Sequence, residues 1–288
     1  MIQSKPKKNH FHNDDELAIV TMKEQANLDF HTHKYHELVV VRAGSGTHVT
    51  ESESYTVGAG DVFIMRPGAP HSYRNTEALD LINVLYWPKR LPMGLADMRQ
   101  LPGFHALFEL EPQLRQQQGF SARLQLEPAA LTHTLSLIDK INEELKQRKP
   151  GYRAIAISTF LTLVAELSRS YGAVRTTSAE DMMRFGTLLS HLETDYHKAL
   201  SLKQMAAMAS MSASSLNRLF QRVHGVSPAR YLLNLRLKRA AELLKNSEQR
   251  ITEIALHCGF NDSNYFTRQF RSFKGFSPRN YRVQMQGL

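Results

Sequence analysis

The chain has 288 residues, 42% of them hydrophobic and 22% charged, and its 36 Lys and Arg against 27 Asp and Glu give a formal net charge of +9. That balance excludes a wholly disordered chain, and the length predicts two domains. No run reaches the ~18 consecutive apolar residues of a membrane span. The opening Met1–Lys8 lacks the apolar segment of a signal peptide, and the single Cys258 allows neither an intrachain disulfide nor a CxxC zinc site, so a reduced, cytoplasmic protein is expected.

Residues 17–87 predict strands. Leu17–Met22, Leu38–Val41, Val62–Met65 and Leu79–Tyr86 are apolar or β-branched runs, with turns expected at Ala43–Gly46 and Val57–Asp61. Short strands at this spacing indicate a barrel or a sandwich. Within them lies His31-Thr32-His33-Lys34-Tyr35-His36-Glu37. On one strand, positions 31, 33 and 37 share a face, so two imidazoles and a carboxylate would converge on the interior while His36 points outward. His71 would join them from a neighbouring strand. Such a set suits a divalent metal, a metal-free pocket for sugar hydroxyls, or a polar cluster that only stabilises the fold.

From about residue 128 the apolar period becomes helical. Leu131, Leu135, Ile138 and Leu145, with Leu137 and Ile141 beside them, form one stripe. A second helix over about 153–170 carries Ile157, Leu161, Val164 and Leu167. An apolar stripe on a surface helix needs a partner, either the strands or a second subunit. Gly172–Asp181 is polar and aperiodic and reads as a linker, set at 176–183 between a unit 1–175 and a unit 184–288.

The positive charge belongs to the last third. Residues 182–288 hold 16 Lys and Arg against 6 Asp and Glu, a balance of +10, whereas residues 1–181 balance at −1. A polyanion partner for that half alone is implied. The same third contains a repeat. Leu216-Asn217-Arg218-Leu219-Phe220, then Gly225-Val226-Ser227-Pro228 and Tyr231, recurs 50 residues on as Phe266-Thr267-Arg268-Gln269-Phe270, then Gly275-Phe276-Ser277-Pro278 and Tyr281. Each copy predicts a helix-turn-helix. In the first, Ser201 and Gln204 fit a capping box, Ser210–Ser212 makes the turn, and the second helix buries Leu216, Leu219, Phe220 and Val223. Its outward face is then Ser214, Asn217, Arg218 and Gln221. In the second copy Phe266, Phe270 and Phe273 are expected inside and Asn264, Thr267, Arg268 and Arg271 outside. Arg can fork onto guanine and Asn or Gln can pair with adenine, while Ser and Thr suit phosphates and thymine methyls. A helix over about 229–246 would hold the two modules apart.

Residues 184–285 resemble the DNA-binding domain of the AraC/XylS family of transcription regulators, chiefly through Arg236-Leu237, Ala240, Leu244 and the run Ile251 to Phe266, followed by Phe270 and Gly275-Phe276-Ser277-Pro278. The resemblance implies a seven-helix domain that binds tandem promoter sites on double-stranded DNA and contacts RNA polymerase. Asp262 sits where that family sometimes touches the polymerase, and an N-cap is its competing role. His31, His33, Glu37 and His71 similarly match the four ligand positions of the cupin pattern, with Arg66 standing where the pattern has proline and Pro67 one place later. A cupin-like sensor with this DNA-binding domain resembles the sugar-responsive branch of the family, in particular its rhamnose-responsive regulators. The implied protein is α+β with two domains. It is a homodimeric activator controlled by a small carbohydrate, and not an enzyme. A metal-dependent cupin enzyme tethered to DNA and a constitutive DNA-binding regulator are the alternatives.

Overall fold

The computed structural model describes residues 5–6, 10–12, 14–93, 96–114, 123–172 and 177–287. The chain divides into two units, Met1–Gly186 and Thr187–Leu288.

The first unit is built on one sheet of β1 (Lys5–Pro6), β2 (Leu17–Met22), β3 (Leu28–Thr32), β4 (His36–Thr50), β5 (Ser54–Gly58), β6 (Asp61–Met65), β7 (His71–Tyr86) and β8 (Leu124–Gln125). The order is β1-β3-β7-β4-β6-β8, with β2 also on β7 and β5 also on β4. The long pair β4–β7 is its spine, antiparallel from His36 opposite Tyr86 to Thr50 opposite His71. Each spine strand changes partner along its length. β4 pairs with β6 through Glu37–Val40 and with β5 through Ser45–Val49; β7 pairs with β3 at its start and with β2 at its end.

The turn expected at Ala43–Gly46 does not form. These residues lie inside β4, where the register against β7 slips at Val41, Ala43 and Ser45. Gly44 has φ +72°, and a Cβ there would sit 2.0 Å from the Ala78 carbonyl oxygen. A glycine able to take that conformation lets the strand bulge and bend without reversing. The turn at Val57–Asp61 forms as expected, with Gly60 at φ +90°. Val39, Val41, Phe63, Leu79 and Leu81 pack into one core cluster on the spine. Each such burial stabilises by about 1.5–3 kcal/mol.

Five short helical pieces follow β7 among the described residues: a 3-10 turn (Pro88–Arg90), α1 (Ala96–Arg99), α2 (Pro102–Phe104), a π-helical turn (His105–Leu110) and α3 (Glu111–Leu114). Then come α4 (Pro128–Gln147) and α5 (Tyr152–Tyr171), whose starts agree with the expected helices. α4 buries Thr134, Ile138 and Ile141, leaving Leu131, Leu135, Leu137 and Leu145 half-buried. α5 buries Ala156, Phe160, Leu163, Val164 and Leu167, so the expected face is rotated and Ile157 and Leu161 lie at its margin. Apolar residues cover more than half of that helix's circumference, and periodicity alone does not select the buried side.

The expected linker is also corrected. From Thr177 onward it is the first turn of α6 (Thr177–Asp195); residues 173–176 lie outside the described residues. Ala179, Met182, Phe185, Leu188, Leu189 and Leu192 are buried at helical spacing along α6. The polar residues Glu180 and Asp181 gave the stretch its loop-like composition. The division between units falls within α6, at Gly186, and not at 176–183.

The second unit continues with α7 (Leu202–Met208), α8 (Ala213–His224), α9 (Pro228–Asn246), α10 (Ile251–His257), α11 (Ser263–Lys274) and α12 (Pro278–Gln286). Side-chain caps set most of these starts. Ser201 and Gln204 complete the capping box on α7, Ser212 caps α8, and Ser227 and Ser277 cap α9 and α12 just before a proline. Leu237, Leu244, Ile254, Cys258, Phe266 and Phe270 form a core around α9–α11. Phe273, expected inside, is half-buried at its edge. Among the described residues no helix is long and apolar enough to cross a membrane.

Candidate functional site

Two helix faces in the basic unit carry the residues selected for reading DNA. On α8, Leu216, Leu219, Phe220 and Val223 are buried. The helical period then turns Ser214, Arg218 and Gln221 to solvent, with Asn217 half-exposed beside them. On α11, Phe266 and Phe270 are buried, and Asn264, Thr267, Arg268 and Arg271 are all exposed. No carboxylate among the described residues forms an ion pair with Arg218, Arg268 or Arg271. Arg218 reaches only Ser215 Oγ, at 3.4 Å, so its fork stays available. Thr267 donates its hydroxyl proton to the Ser263 carbonyl at 2.9 Å, leaving its oxygen and methyl group to a partner. Asp262 is the N-cap of α11, accepting from the backbone N–H of Asn264 at 2.7 Å and of Tyr265 at 2.9 Å. Those bonds, with Arg268 nearby, hold its carboxyl below the ordinary value.

Arg236 lies within the helix expected over about 229–246. Its guanidinium in fact donates to three main-chain carbonyls: Tyr196 at 2.7 Å, Lys198 at 2.9 Å and Gly259 at 3.0 Å. Gly259 takes φ +81° in the turn between α10 and α11, the counterpart of Ser210 at φ +54° in the turn between α7 and α8. Arg236 thus fastens the chain after α6 and the second turn to α9. A burial pattern cannot reveal such a clamp, because its partners are backbone atoms remote in sequence.

The sheet unit holds a second constellation. His31, His33, Glu37 and His71 are brought together and are 5%, 5%, 2% and 1% exposed. His31, His33 and Glu37 do not share one strand as expected, whereas His71 does come from a neighbouring one. His31 lies in β3, His33 in the connection after it, Glu37 in β4 and His71 at the start of β7, paired with His31. Nε2 of His33 and Nε2 of His71 approach the same carboxylate oxygen of Glu37, at 3.1 and 3.4 Å. Opposite them, Nδ1 of His33 lies 2.6 Å from the Tyr35 carbonyl and Nδ1 of His71 lies 3.1 Å from the Ala69 carbonyl. A carbonyl can only accept, so both Nδ1 atoms carry the hydrogen. That leaves each Nε2 to meet the Glu37 carboxylate, an arrangement that needs a proton or a metal cation between ring nitrogen and oxygen. His31 is anchored similarly, with Nδ1 3.2 Å from the Asp29 carbonyl and its ring 4.2 Å from that of His71. Burial raises the Glu37 carboxyl, but hydrogen bonds from His33 and His71 outweigh it and hold the group well below its usual range.

One ligand atom from each of His33, Glu37 and His71 lies within 4.8 Å of the others. Two imidazoles fixed through their far nitrogens and one carboxylate fit a divalent ion of the zinc type. His48, missed in the sequence, belongs to the same neighbourhood, its ring 5.5 Å from His71 and 5.0 Å from Tyr73. Glu37 and His48 differ by eleven positions, an odd offset, so strict alternation sends them to opposite faces; the bulges near Gly44 break that parity. His36, expected at the surface, is half-buried against Tyr86, and burial together with Arg66 and His33 lowers it to about 4.

Comparison with known proteins adds to this geometry. A helix-turn-helix domain family matches residues 205–284, and an AraC-like ligand binding domain family matches residues 15–154. The HTH-type transcriptional activator RhaS of Klebsiella pneumoniae (strain 342) is 31% identical over 266 residues, covering 92% of this chain and 91% of its own. RhaS of Escherichia coli O157:H7 (strain EC4115 / EHEC) is 31% identical over 272 residues, 94% of each chain. Among solved structures, a transcriptional regulator with an AraC-type DNA-binding domain from Chromobacterium violaceum is 32% identical, covering 37% of this chain and 96% of its own, with a TM-score of 0.35.

Proposed function

Because this chain belongs to the AraC family of ligand-responsive, DNA-binding transcriptional activators, we propose that it activates carbohydrate-utilisation promoters by placing α8 and α11 in successive major grooves. The two helix pairs, α7–α8 and α10–α11, act as paired helix-turn-helix modules separated by α9. Grooves on one side of B-DNA recur about every 34 Å, the spacing such a pair has to match. The observation that carries this reading is the exposure of Arg218 and Arg268, free of carboxylate partners, on corresponding helices of a strongly basic unit.

The sheet unit supplies the control. In this reading it is a cupin-like barrel, and His31, His33, Glu37 and His71 take a small carbohydrate by its hydroxyls. The same cluster favours a second reading of that site, in which a divalent ion is held by His33, Glu37 and His71 and supplies positive charge for effector oxygens. Either way the effector acts by binding more tightly to the DNA-competent state, and DNA must strengthen effector binding by the same factor. A homodimer through α4 and α5, contact with RNA polymerase and a cytoplasmic location complete the proposal. The matched families are DNA-binding and ligand-binding ones, not catalytic.

The test is binding to an operator obtained by in vitro selection with the full chain. Arg218→Ala and Arg268→Ala should each weaken the operator by ~1–3 kcal/mol and relax the sequence preference at one half-site only. Equal weakening of every DNA sequence by both variants would overturn the reading.

A further inference from the structure

The sheet unit contains a cavity of about 600 Å³ separate from the histidine cluster, bounded by the end of β7, the start of β4 and the short helical pieces. Its volume lies in the range of small-molecule sites, roughly 300–1,000 Å³. None of His31, His33, Glu37 or His71 lines it.

Two features of its wall define what would fit. The first is aromatic. Trp87 is half-buried at its edge, and Phe104 and Phe108 are buried behind it, stacked with centroids 5.6 Å apart and planes 18° from parallel. The second is charge. Lys34, Lys89, Arg90 and Arg99 all line the cavity, against one carboxylate, Glu109. That carboxylate is already engaged, 3.0 Å from Arg99 and 2.7 Å from His105. Lys34, Lys89 and Arg90 have no ion-pair partner among the described residues, and Arg90 lies over the Trp87 ring, 5.6 Å from its centroid. An apolar floor of flat rings beneath an unbalanced positive rim selects a flat or ring-shaped body bearing an acidic group.

We propose that this cavity is a second ligand site, for a small organic anion that lays a ring on Trp87, Phe104 and Phe108 and directs a carboxylate, sulfonate or phosphate to Lys34 and Arg90. The site adjoins the histidine cluster. Trp87 lies 5.6 Å from Phe11 and 6.2 Å from Tyr35, and Tyr35 is stacked on His33. A ligand on Trp87 therefore touches a ring stack that ends at the first site. The proposal does not depend on which effector the histidine cluster takes.

Trp87 is the chain's only tryptophan, which makes the experiment direct. The full chain is titrated with anilinonaphthalene sulfonate, an aromatic anion that accepts excitation energy from tryptophan, and with phenylnaphthylamine, a similar aromatic body without the sulfonate. One saturable sulfonate site is expected, with emission sensitised by Trp87 and affinity at least about tenfold above that of the neutral dye, since charge-assisted hydrogen bonds contribute 1.5–3 kcal/mol. The double variant Lys34→Gln/Arg90→Gln changes only exposed side chains and should remove that preference. Trp87→Phe should abolish the sensitised signal and weaken the sulfonate site, with the remaining binding read by dye emission excited directly. Equal affinity for both dyes, no response to the double variant, or sulfonate binding without energy transfer from Trp87 would each overturn the assignment.

Discussion

Nε2 of His33 lies 3.1 Å from Oε2 of Glu37, with both side chains almost completely buried. A lone pair facing a carboxylate in a dry interior is unfavourable unless a positive charge lies between them. Zinc added to chelator-stripped protein is expected to raise the melting temperature of the full chain. The gain is about 2.7 kcal/mol at a hundredfold excess over the dissociation constant. Glu37→Gln, close in shape, should remove most of the response. A wild-type melting curve that ignores the ion would rule out the metal reading of this cluster.

Gly259 and Gly225 make a matched pair. Both have positive φ, +81° and +69°, but a Cβ on Gly259 would lie 2.4 Å from the His197 carbonyl oxygen while Gly225 has open space. Gly225→Ala should cost about 1–2 kcal/mol, the backbone term alone. Gly259→Ala should cost clearly more, measured as the shift of the urea midpoint. Equal shifts would contradict the close approach of the His197 carbonyl to Gly259.

Cys258 is fully buried in the core of the second unit, and burial pushes its thiol up to about 12 although Arg236 and Arg239 oppose the shift. Thiolate is the reactive form, so at neutral pH the folded protein should be inert to a disulfide dye and react fully once unfolded in guanidinium. The reaction then reports opening of that core. Rapid labelling of native protein would contradict the burial.

Asp262 caps α11 through two backbone N–H groups, and these bonds hold its carboxyl below the ordinary 3.8. A folded value lower than the unfolded one contributes stability above the unfolded value, and that stability is lost as the pH falls through the folded value. Wild type should therefore melt above Asp262→Ala near neutrality, and the gap should narrow as the pH drops below 3.8. A gap that does not change with pH would assign the difference to something other than the ionised cap.

The logarithm of the DNA affinity should fall linearly with the logarithm of salt, with a slope of about −0.9 per phosphate neutralised. Filter binding across a salt series measures it. A flat dependence would show that the basic unit does not track the phosphate backbone.

The parts of this molecule that were legible in the sequence are those whose causes are local. Ser201 with Gln204, and each Ser-Pro pair, fix helix starts within four residues, so the α7–α8 pair and the starts of α9 and α12 were readable. The outward sets around Arg218 and Arg268 followed from one helical period. What was misread depends on partners distant in the chain. Gly44 looked like a turn because only Ala78, on another strand, shows that the backbone bends there. That same bend hid His48. The start of α6 looked like a linker because its exposed side is polar, and its buried side, Ala179 and Met182, is too sparse to establish a period before residue 185. On α5 the choice between Ile157 and Phe160 as the inward residue is made by Tyr86, whose ring lies 5.3 Å from that of Phe160.

Arg236 reaches three carbonyls with three different nitrogens of one rigid plane. Lysine carries the same charge on a single nitrogen and has no planar fork to spread across them. The exposed faces of α8 and α11 can therefore change without touching this clamp, whereas a shorter or single-nitrogen side chain at residue 236 strands main-chain acceptors in two connections at once.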